Sequence, residues 1–417
     1  MNKSDSENGS ITIQGQGVAV YANQVPVSAD TAYGEKRAAV LNAAGFDAAQ
    51  AEIRQWPGYA PTAMHTLPGL AAELGIQTLY YKDESTRFTL KSFKALGGAY
   101  AVFRLIQQAI AKAYPGIMAS PADILSGQYR DIVDQLTVTC ATDGNHGRSV
   151  AWGAQTFGCR CVIYVHAMVS QGRADAIAAF GAEVIRVEGN YDESVRHAAQ
   201  QAETNGWTVV SDTTYEGYRD IPIDVMHGYG VMSREMIVQL EDEPPTHVIV
   251  QAGVGAFAAS VCAAFWLHWG PKRPQFVVVE PTNAACLFES ARAGHLVAVD
   301  GELETVMAGL ACGEVSPVAW EILQGGVNDF VTLDDSYALD GMKRFANPVA
   351  GDPPIVSGET GTTGLGVLLA ASTTPAVWQA LGLDANSRVL ILGSEGDTDP
   401  EIYEKVVGRA ASAVRAW

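Results

Sequence analysis

Residues 82 to 100 read KDESTRFTLKSFKALGGAY. Charged residues (Lys82, Asp83, Glu84, Arg87) lead into Ser92-Phe93-Lys94, and Ala95-Leu96-Gly97-Gly98-Ala99-Tyr100 then opens an apolar helix expected over 95–111. A lysine set between an aromatic ring and an apolar helix start is costly to bury as an ammonium, which favours loss of its proton. A neutral lysine amine can attack an aldehyde cofactor and hold it as a Schiff base. The other reading is a helix-start lysine whose amine reaches solvent. The chain on either side bears on the choice.

Upstream, the stretch 38–54 has helical spacing, a short helix is expected over 67–74 with Pro68 in its first turn, and IQTLYYK (76–82) reads as the strand that delivers the chain into the lysine stretch. Downstream, short runs of β-branched and apolar residues alternate with longer helical segments. The strands are LTVTC (136–140), CVIYV (161–165), AEVIRV (182–187), WTVVS (207–211), THVIVQ (246–251), QFVVVE (275–280) and RVLIL (388–392). Helices are expected over 149–157, 170–180, 192–204, 224–240 and 256–268, with a polar connection over 115–135. That alternation predicts an α/β protein whose mostly parallel sheets are covered on both faces. The units outnumber what one sheet takes, so two doubly wound domains are expected. The large one comprises 1–98 and 229–417, with 1–15 as a flexible arm; the small one comprises 99–228.

Composition narrows the function classes. Lys+Arg 27 against Asp+Glu 46 leaves a net charge of −19, which argues against nucleic acid and anionic membrane surfaces as partners. The polar start MNKSDSENGSITIQGQG lacks the apolar core of a signal peptide, and no apolar run is long enough for a membrane span. Cys140, Cys159, Cys161, Cys262, Cys286 and Cys312 form no C-x-x-C and sit mostly in apolar runs, as expected of reduced thiols in a cytoplasmic protein.

Polar turns follow the strands at 140, 211, 251 and 392, where ligands bind in such sheets. Ala252-Gly253-Val254-Gly255-Ala256 opens a helix and can bring backbone amides to a phosphate, or it is simply a tight strand-to-helix turn. The turn 142–148 gathers Thr142, Asp143, Asn145 and His146. Asp143 and, past the next such strand, Asp212 read either as capping carboxylates or as acid/base groups, and a pair at neighbouring strand ends suits proton transfer on two sides of a substrate. His146 reads first as a structural hydrogen-bonding group. No second cluster at ligand spacing accompanies it, so no metal site is expected. After the last strand, Ser394 is placed to meet a ligand, whereas Glu395, Asp397 and Asp399 read as solvated turn carboxylates.

KDESTRFTLKSFKALGGAYA, ATDGNHGRSVAW, NYDESVR, SDTTYEGY, QAGVGAFAAS, TVMAGLACGE, SGETGTTGLGVL and SEGDTD together resemble the fold-type II pyridoxal-phosphate enzymes, the tryptophan-synthase-β/threonine-dehydratase superfamily. The likeness runs from about residue 55 to the C-terminus in family order. It implies pyridoxal 5'-phosphate in the cleft of two α/β domains. Lys94 would hold the cofactor, with Lys91 set aside because the family motif is Phe-Lys. Phe93 would pack near the ring and Asn145 would contact its hydroxyl. Gly253, Val254, Gly255 and Ala256 would cradle the phosphate, and Ser394 would meet the pyridine nitrogen.

Within the superfamily the chain is most similar to the branch that removes ammonia from 2,3-diaminopropionate. Dehydratases carry serine where this chain has Asp143 before Gly-Asn-His. The resemblance implies that Asp143 and Asp212 take the α-proton from the D and L isomers respectively, that Lys94 is their acid/base partner, and that Thr142, Asp143, Asn145 and His146 contact the substrate. Lys91-Ser92 departs from the smaller, less charged residues of the pattern. About twenty residues follow SEGDTD, too few for an appended regulatory domain. A homodimer active in amino-acid catabolism is implied. The rival readings are a serine/threonine dehydratase or another β-eliminating lyase of the same fold, and a non-catalytic protein whose glycine turns hold a nucleotide phosphate.

Overall fold

The computed structural model describes residues 12–25, 28, 31–142, 144–189 and 191–416. Twelve strands fall among them: β1 (Thr12–Gly15), β2 (Val18–Ala22), β3 (Met64–Thr66), β4 (Thr78–Asp83), β5 (Thr137–Ala141), β6 (Arg160–His166), β7 (Glu183–Val187), β8 (Thr208–Val209), β9 (His247–Gln251), β10 (Gln275–Pro281), β11 (Asp329–Leu333) and β12 (Arg388–Gly393). The chain groups into two units. One collects the residues up to Val40, Thr62–Ser85 and everything from Glu235 on; the other collects Leu41–Pro61 and Thr86–Arg234. The segment 99–228 expected from the sequence is the inner part of the second unit.

The first unit is built on an eight-stranded sheet ordered β1-β2-β11-β10-β9-β12-β4-β3. Its interior strands β11, β10, β9, β12 and β4 are parallel, and β2 and β3 add to it antiparallel at either side. β9 (HVIVQ) is buried along its whole length, as a central parallel strand must be. The helix Ala256–Trp269 that follows it is apolar on nearly every side and correspondingly buried. Of the arm expected over 1–15, residues 1–11 lie outside the described residues. Thr12–Gly15 is a strand that pairs with β2 across Gln16-Gly17, where Gly17, the second turn residue, takes a positive φ (66°) that suits glycine.

The second unit is built on the parallel sheet β7-β6-β5-β8. β8 is shorter than the 207–211 run suggested: Val210 N still donates to Thr139 O of β5 (2.8 Å), but Val210 O faces His146 Nε2 (2.8 Å), and a tyrosine holds the strand's other side. The Tyr218 hydroxyl donates to Val209 O (2.9 Å) and accepts from Ser211 N (2.8 Å). The polar connection 115–135 holds two short helices, Pro121–Leu125 and Arg130–Val133, the first closed by a capping box from Ser120 and Asp123.

Two longer helices carry the chemistry-bearing residues of this unit. Lys94–Ala113 packs on Asn145–Phe157 through glycines. A Cβ on Gly98 would lie 1.9 Å from Ser149 Oγ, and one on Gly153 would lie 2.7 Å from Ala99 Cα. Trp56 fastens the 41–61 segment to the pair, its ring 6.0 Å from Phe88, 6.0 Å from Trp152 and 5.2 Å from Phe157. At Gly153 the obstacle is backbone, which cannot swing away. Gly153→Ala should therefore lower unfolding free energy by about 1–3 kcal/mol in urea denaturation. Gly172→Ala, where a Cβ meets nothing within 4 Å, should leave stability unchanged or raise it by up to about 1 kcal/mol.

Candidate active site

In the second unit Lys94 is the first residue of its helix. The turn before it is strained: Phe88 (φ 46°), Thr89 (φ 64°) and Lys91 (φ 58°) occupy the left-handed region, a cost that non-glycine residues bear at functional sites. Lys94 Nζ is joined to the carboxylate of Asp212, and both side chains are about four-fifths buried. The rings of Phe93 and Tyr229 lie 5.4 and 5.9 Å from the amine and 4.7 Å from each other. The amine therefore has an ionic partner, Asp212, in largely aromatic surroundings, the setting that separates a functional lysine from a solvated one.

Asp212 sits just past β8. Its loop is held by the Tyr218 hydroxyl and by Thr213 N, which donates to Ser211 Oγ at 3.3 Å. Burial would push its carboxyl up, but the Lys94 ammonium, aided by His146, holds it well below the usual carboxylate range. His146 Nε2 faces Val210 O at 2.8 Å and so carries the proton, while Nδ1 lies 3.8 Å from Asp212. Burial lowers the His146 pKa, and Lys94 adds to this against the opposing pull of Asp212. The ring is thus a neutral hydrogen-bonding group, as its first reading held.

β5 and β8 are neighbours, so the turn after β5 and the Asp212 loop leave adjoining strand ends. Thr142 Oγ1 accepts from Gly144 N and Gly147 N (both 3.1 Å), so this hydroxyl caps the turn. Asn145 starts the helix, and Gly147 is required because a Cβ there would lie 2.3 Å from Thr142 Cγ2. Asp143 lies outside the described residues.

In the first unit β9 and β12 are likewise neighbours, and their carboxyl ends bring the 252–256 turn and Ser394 together. Gly255 has φ 97°, and a Cβ on Gly253 would lie 2.9 Å from Cys312 Sγ and 3.1 Å from Gly309 O. Among the described residues no acceptor takes the N–H groups of Gly253, Val254 or Gly255. Three such amides ahead of a 14-residue helix form a cradle for an anion. Ser394 is 1% exposed and its Oγ accepts from Gln251 Nε2 at 2.8 Å.

The carboxylates after Ser394 are not the solvated turn groups the sequence suggested. Glu395 is buried and accepts from Thr360 N (3.2 Å) and Thr398 Oγ1 (3.1 Å). Asp397 is buried against Arg415 (2.7 Å), and Asp399 caps the helix Pro400–Val407. Three site residues escaped the sequence reading. Gln251 left a usable signal, as the polar last residue of a fully apolar strand. Tyr218 and Tyr229 left none. Among the described residues no group of three or more His, Cys, Asp or Glu side chains could hold a metal ion, and no helix is long and apolar enough to cross a membrane.

A family model described as pyridoxal-phosphate dependent enzyme matches residues 55–375. Diaminopropionate ammonia-lyase of Escherichia coli strain K12 is 41% identical over 362 residues, covering 86% of this chain and 89% of the relative. A crystal structure of diaminopropionate ammonia-lyase from Escherichia coli in complex with D-serine has a TM-score of 0.83 and 37% identity, covering 95% of this chain and 98% of that one. A structure of the same enzyme with an aminoacrylate–PLP azomethine reaction intermediate gives a TM-score of 0.82, again at 37% identity, covering 94% of this chain and 96% of that one.

The depressed pKa of Asp212 makes a pH prediction. A carboxyl whose folded value is lowered adds stability that is present above its unfolded value, about 4, and is lost as pH falls through the folded value. In the cofactor-free protein the stability lost in Asp212→Asn should be constant from pH 5 to 8 and shrink below about pH 4. Urea titrations of both proteins across that range measure it.

Proposed function

Since the chain belongs to the pyridoxal-phosphate-dependent enzymes, we propose that it catalyses the α,β-elimination of 2,3-diaminopropionate. The reaction consumes one water and yields pyruvate and two molecules of ammonia, one from Cβ and one from Cα. The observation that carries this reading is the Lys94 amine held on the Asp212 carboxylate. Similarity to diaminopropionate ammonia-lyases over most of the chain supports the choice of substrate.

The residues fit the cofactor. Lys94 offers a primary amine for its aldehyde. The unaccepted amides of 253–255 and the helix start at Ala256 suit its phosphate. The buried Ser394 hydroxyl suits its ring nitrogen, Phe93 the ring, and Asn145 the ring hydroxyl. When bound, pyridoxal phosphate supplies an aldehyde to join the substrate amine and a ring that takes up the electron pair released at Cα.

The proton work falls to the chain. Asp212 is held low by the Lys94 ammonium while burial pushes it the other way. When the amine is no longer a cation, burial prevails and the carboxylate becomes a stronger base, ready to take the α-proton of the L isomer. Asp143 has that task for the D isomer. Lys94 is the group that can return a proton to the leaving amine. Thr142, Asp143, Asn145 and His146 bind the substrate. Ser394, a hydroxyl and not a carboxylate, would meet the ring nitrogen without holding it protonated, which favours direct elimination. The acidic composition and the buried thiols of Cys140, Cys159, Cys161, Cys262 and Cys286 accord with a cytoplasmic enzyme, and the family resemblance with a homodimer.

Purified protein should show a visible absorption band that borohydride bleaches, with the label on Lys94. Lys94→Ala should lose the band and turnover together, and a colourless parent after addition of pyridoxal phosphate would remove the enzyme reading. Asp212→Asn should cut kcat on the L isomer by 10²-fold or more, with Asp143→Asn acting mainly on the D isomer. Equal loss on both isomers would refute the division of labour. Turnover of diaminopropionate should exceed that of serine and threonine, and the reverse order would favour the dehydratase reading.

A further inference from the structure

The amide of Gln251 and the hydroxyl of Ser394 meet at the adjoining ends of β9 and β12, each 1% exposed. Gln251 Nε2 lies 3.0 Å from Thr360 O, 2.8 Å from Leu392 O and 2.8 Å from Ser394 Oγ. Two of these neighbours are carbonyls, which only accept, so the NH₂ end of the amide must face them. Turning the amide over would press Oε1 against both carbonyl oxygens. In the orientation that remains, Oε1 is buried without a partner among the described residues. Ser394 thus faces a group that can give a hydrogen bond and cannot take one. Its hydroxyl accepts on that side, and among the described residues nothing accepts its hydrogen. A buried hydroxyl with its donor role vacant is costly unless a ligand fills that role.

We propose that Gln251 is a positioning residue that fixes the polarity of Ser394, so that the hydroxyl can only donate to a bound ring and the site selects the cofactor with its pyridine nitrogen unprotonated. This rests on the reading of Ser394 as the group that meets the ring nitrogen. Gln251 touches neither substrate nor cofactor in this role; it acts through the serine.

The test uses holoprotein loaded with pyridoxal phosphate labelled with ¹⁵N in the ring, whose chemical shift separates pyridine from pyridinium. The parent should give the neutral signal from pH 6 to 8. A carboxyl in Gln251→Glu has at most one hydrogen to give, and in either protonation state it offers Ser394 an acceptor. The signal should move towards pyridinium and the cofactor Kd should rise by about tenfold, the scale of one lost hydrogen bond. Ser394→Ala should move the signal the same way, and Gln251→Glu added to it should move it no further. Should Gln251→Glu fail to fold, Gln251→Met fills the space with neither donor nor acceptor. The carbonyls of Thr360 and Leu392 then compete for the serine hydrogen, and a smaller movement in the same direction is expected. A neutral parent whose signal stays put in the Gln251 variant that folds, or shifts that add in the double variant, would overturn the proposal and leave the reading of Ser394 standing. A pyridinium signal in the parent would overturn that reading itself, and the proposal with it.

Discussion

An ammonium and a carboxylate hold each other at the start of one helix and the end of one short strand, and the second unit is arranged to keep them there. Bringing Asp212 out of water is unfavourable by itself, and the Lys94 ammonium outweighs that cost. Each partner has its own support. Lys94 follows a turn with three non-glycine residues in the left-handed region, and its helix is locked against Asn145–Phe157 by the small residues at 98 and 153. Asp212 hangs on a loop held on one side by the Tyr218 hydroxyl, at Val209 O and Ser211 N, and on the other by Val210, whose N–H donates to Thr139 O and whose carbonyl faces His146 Nε2. The left-handed residues ahead of Lys94 are the kind of local strain that persists only where surrounding packing over-determines it.

The first unit uses the same fold logic with different chemistry. Its two polar features lie at neighbouring carboxyl ends of parallel strands, where open α/β sheets present backbone and side-chain groups beyond the ladder. Among the described residues, one is a run of amides with no acceptor; the other is a buried hydroxyl whose one partner can only donate to it. Both are incomplete hydrogen-bonding arrangements at buried strand ends, and gaps of this kind call for a partner that the fold itself does not supply. The carboxylates next to Ser394 show the contrast. Glu395, Asp397 and Asp399 all have their acceptor capacity used within the fold, by Thr360 and Thr398, by Arg415 and by the Ile402 amide.

What could be read from the sequence followed periodicity and turn chemistry. The central strands β4, β9, β10 and β12 were legible because a strand covered on both faces must be a short apolar run, as HVIVQ and RVLIL are, whereas the equally buried β11 (DFVTL), with Asp329 and Thr332 in its run, was not. The lysine, the glycine turn and Ser394 were legible because they sit next to such runs. The edge strands β1 and β3 were not, since TIQG and MHT are brief and polar and owe their conformation to a partner strand. β8 was read too long because WTVVS continues the strand pattern through Val210, whose carbonyl faces the His146 ring and not β5. Tyr229 and Tyr218 reach the site from positions that carry no local signal, so their roles depend on tertiary placement alone. Gln251 was within reach of sequence reasoning, because a glutamine closing a buried apolar strand needs an explanation.

The neutral state of His146 bears on how the proposed chemistry divides its proton transfers. An imidazole near a carboxylate is the usual candidate for a general acid. Here burial and the Lys94 ammonium lower its pKa, and Nε2 is committed to Val210 O. Its remaining nitrogen has no proton to give near neutral pH, so it cannot protonate a departing amine. Asp212, ionised and paired, can take a proton but has none to offer. In the proposed chemistry the Lys94 amine therefore carries the proton to the departing group, and its release from Asp212 strengthens that carboxylate as a base because burial then prevails. Base and acid would be two states of one ion pair, while the His146 ring holds the strand-end loop at Val210 O.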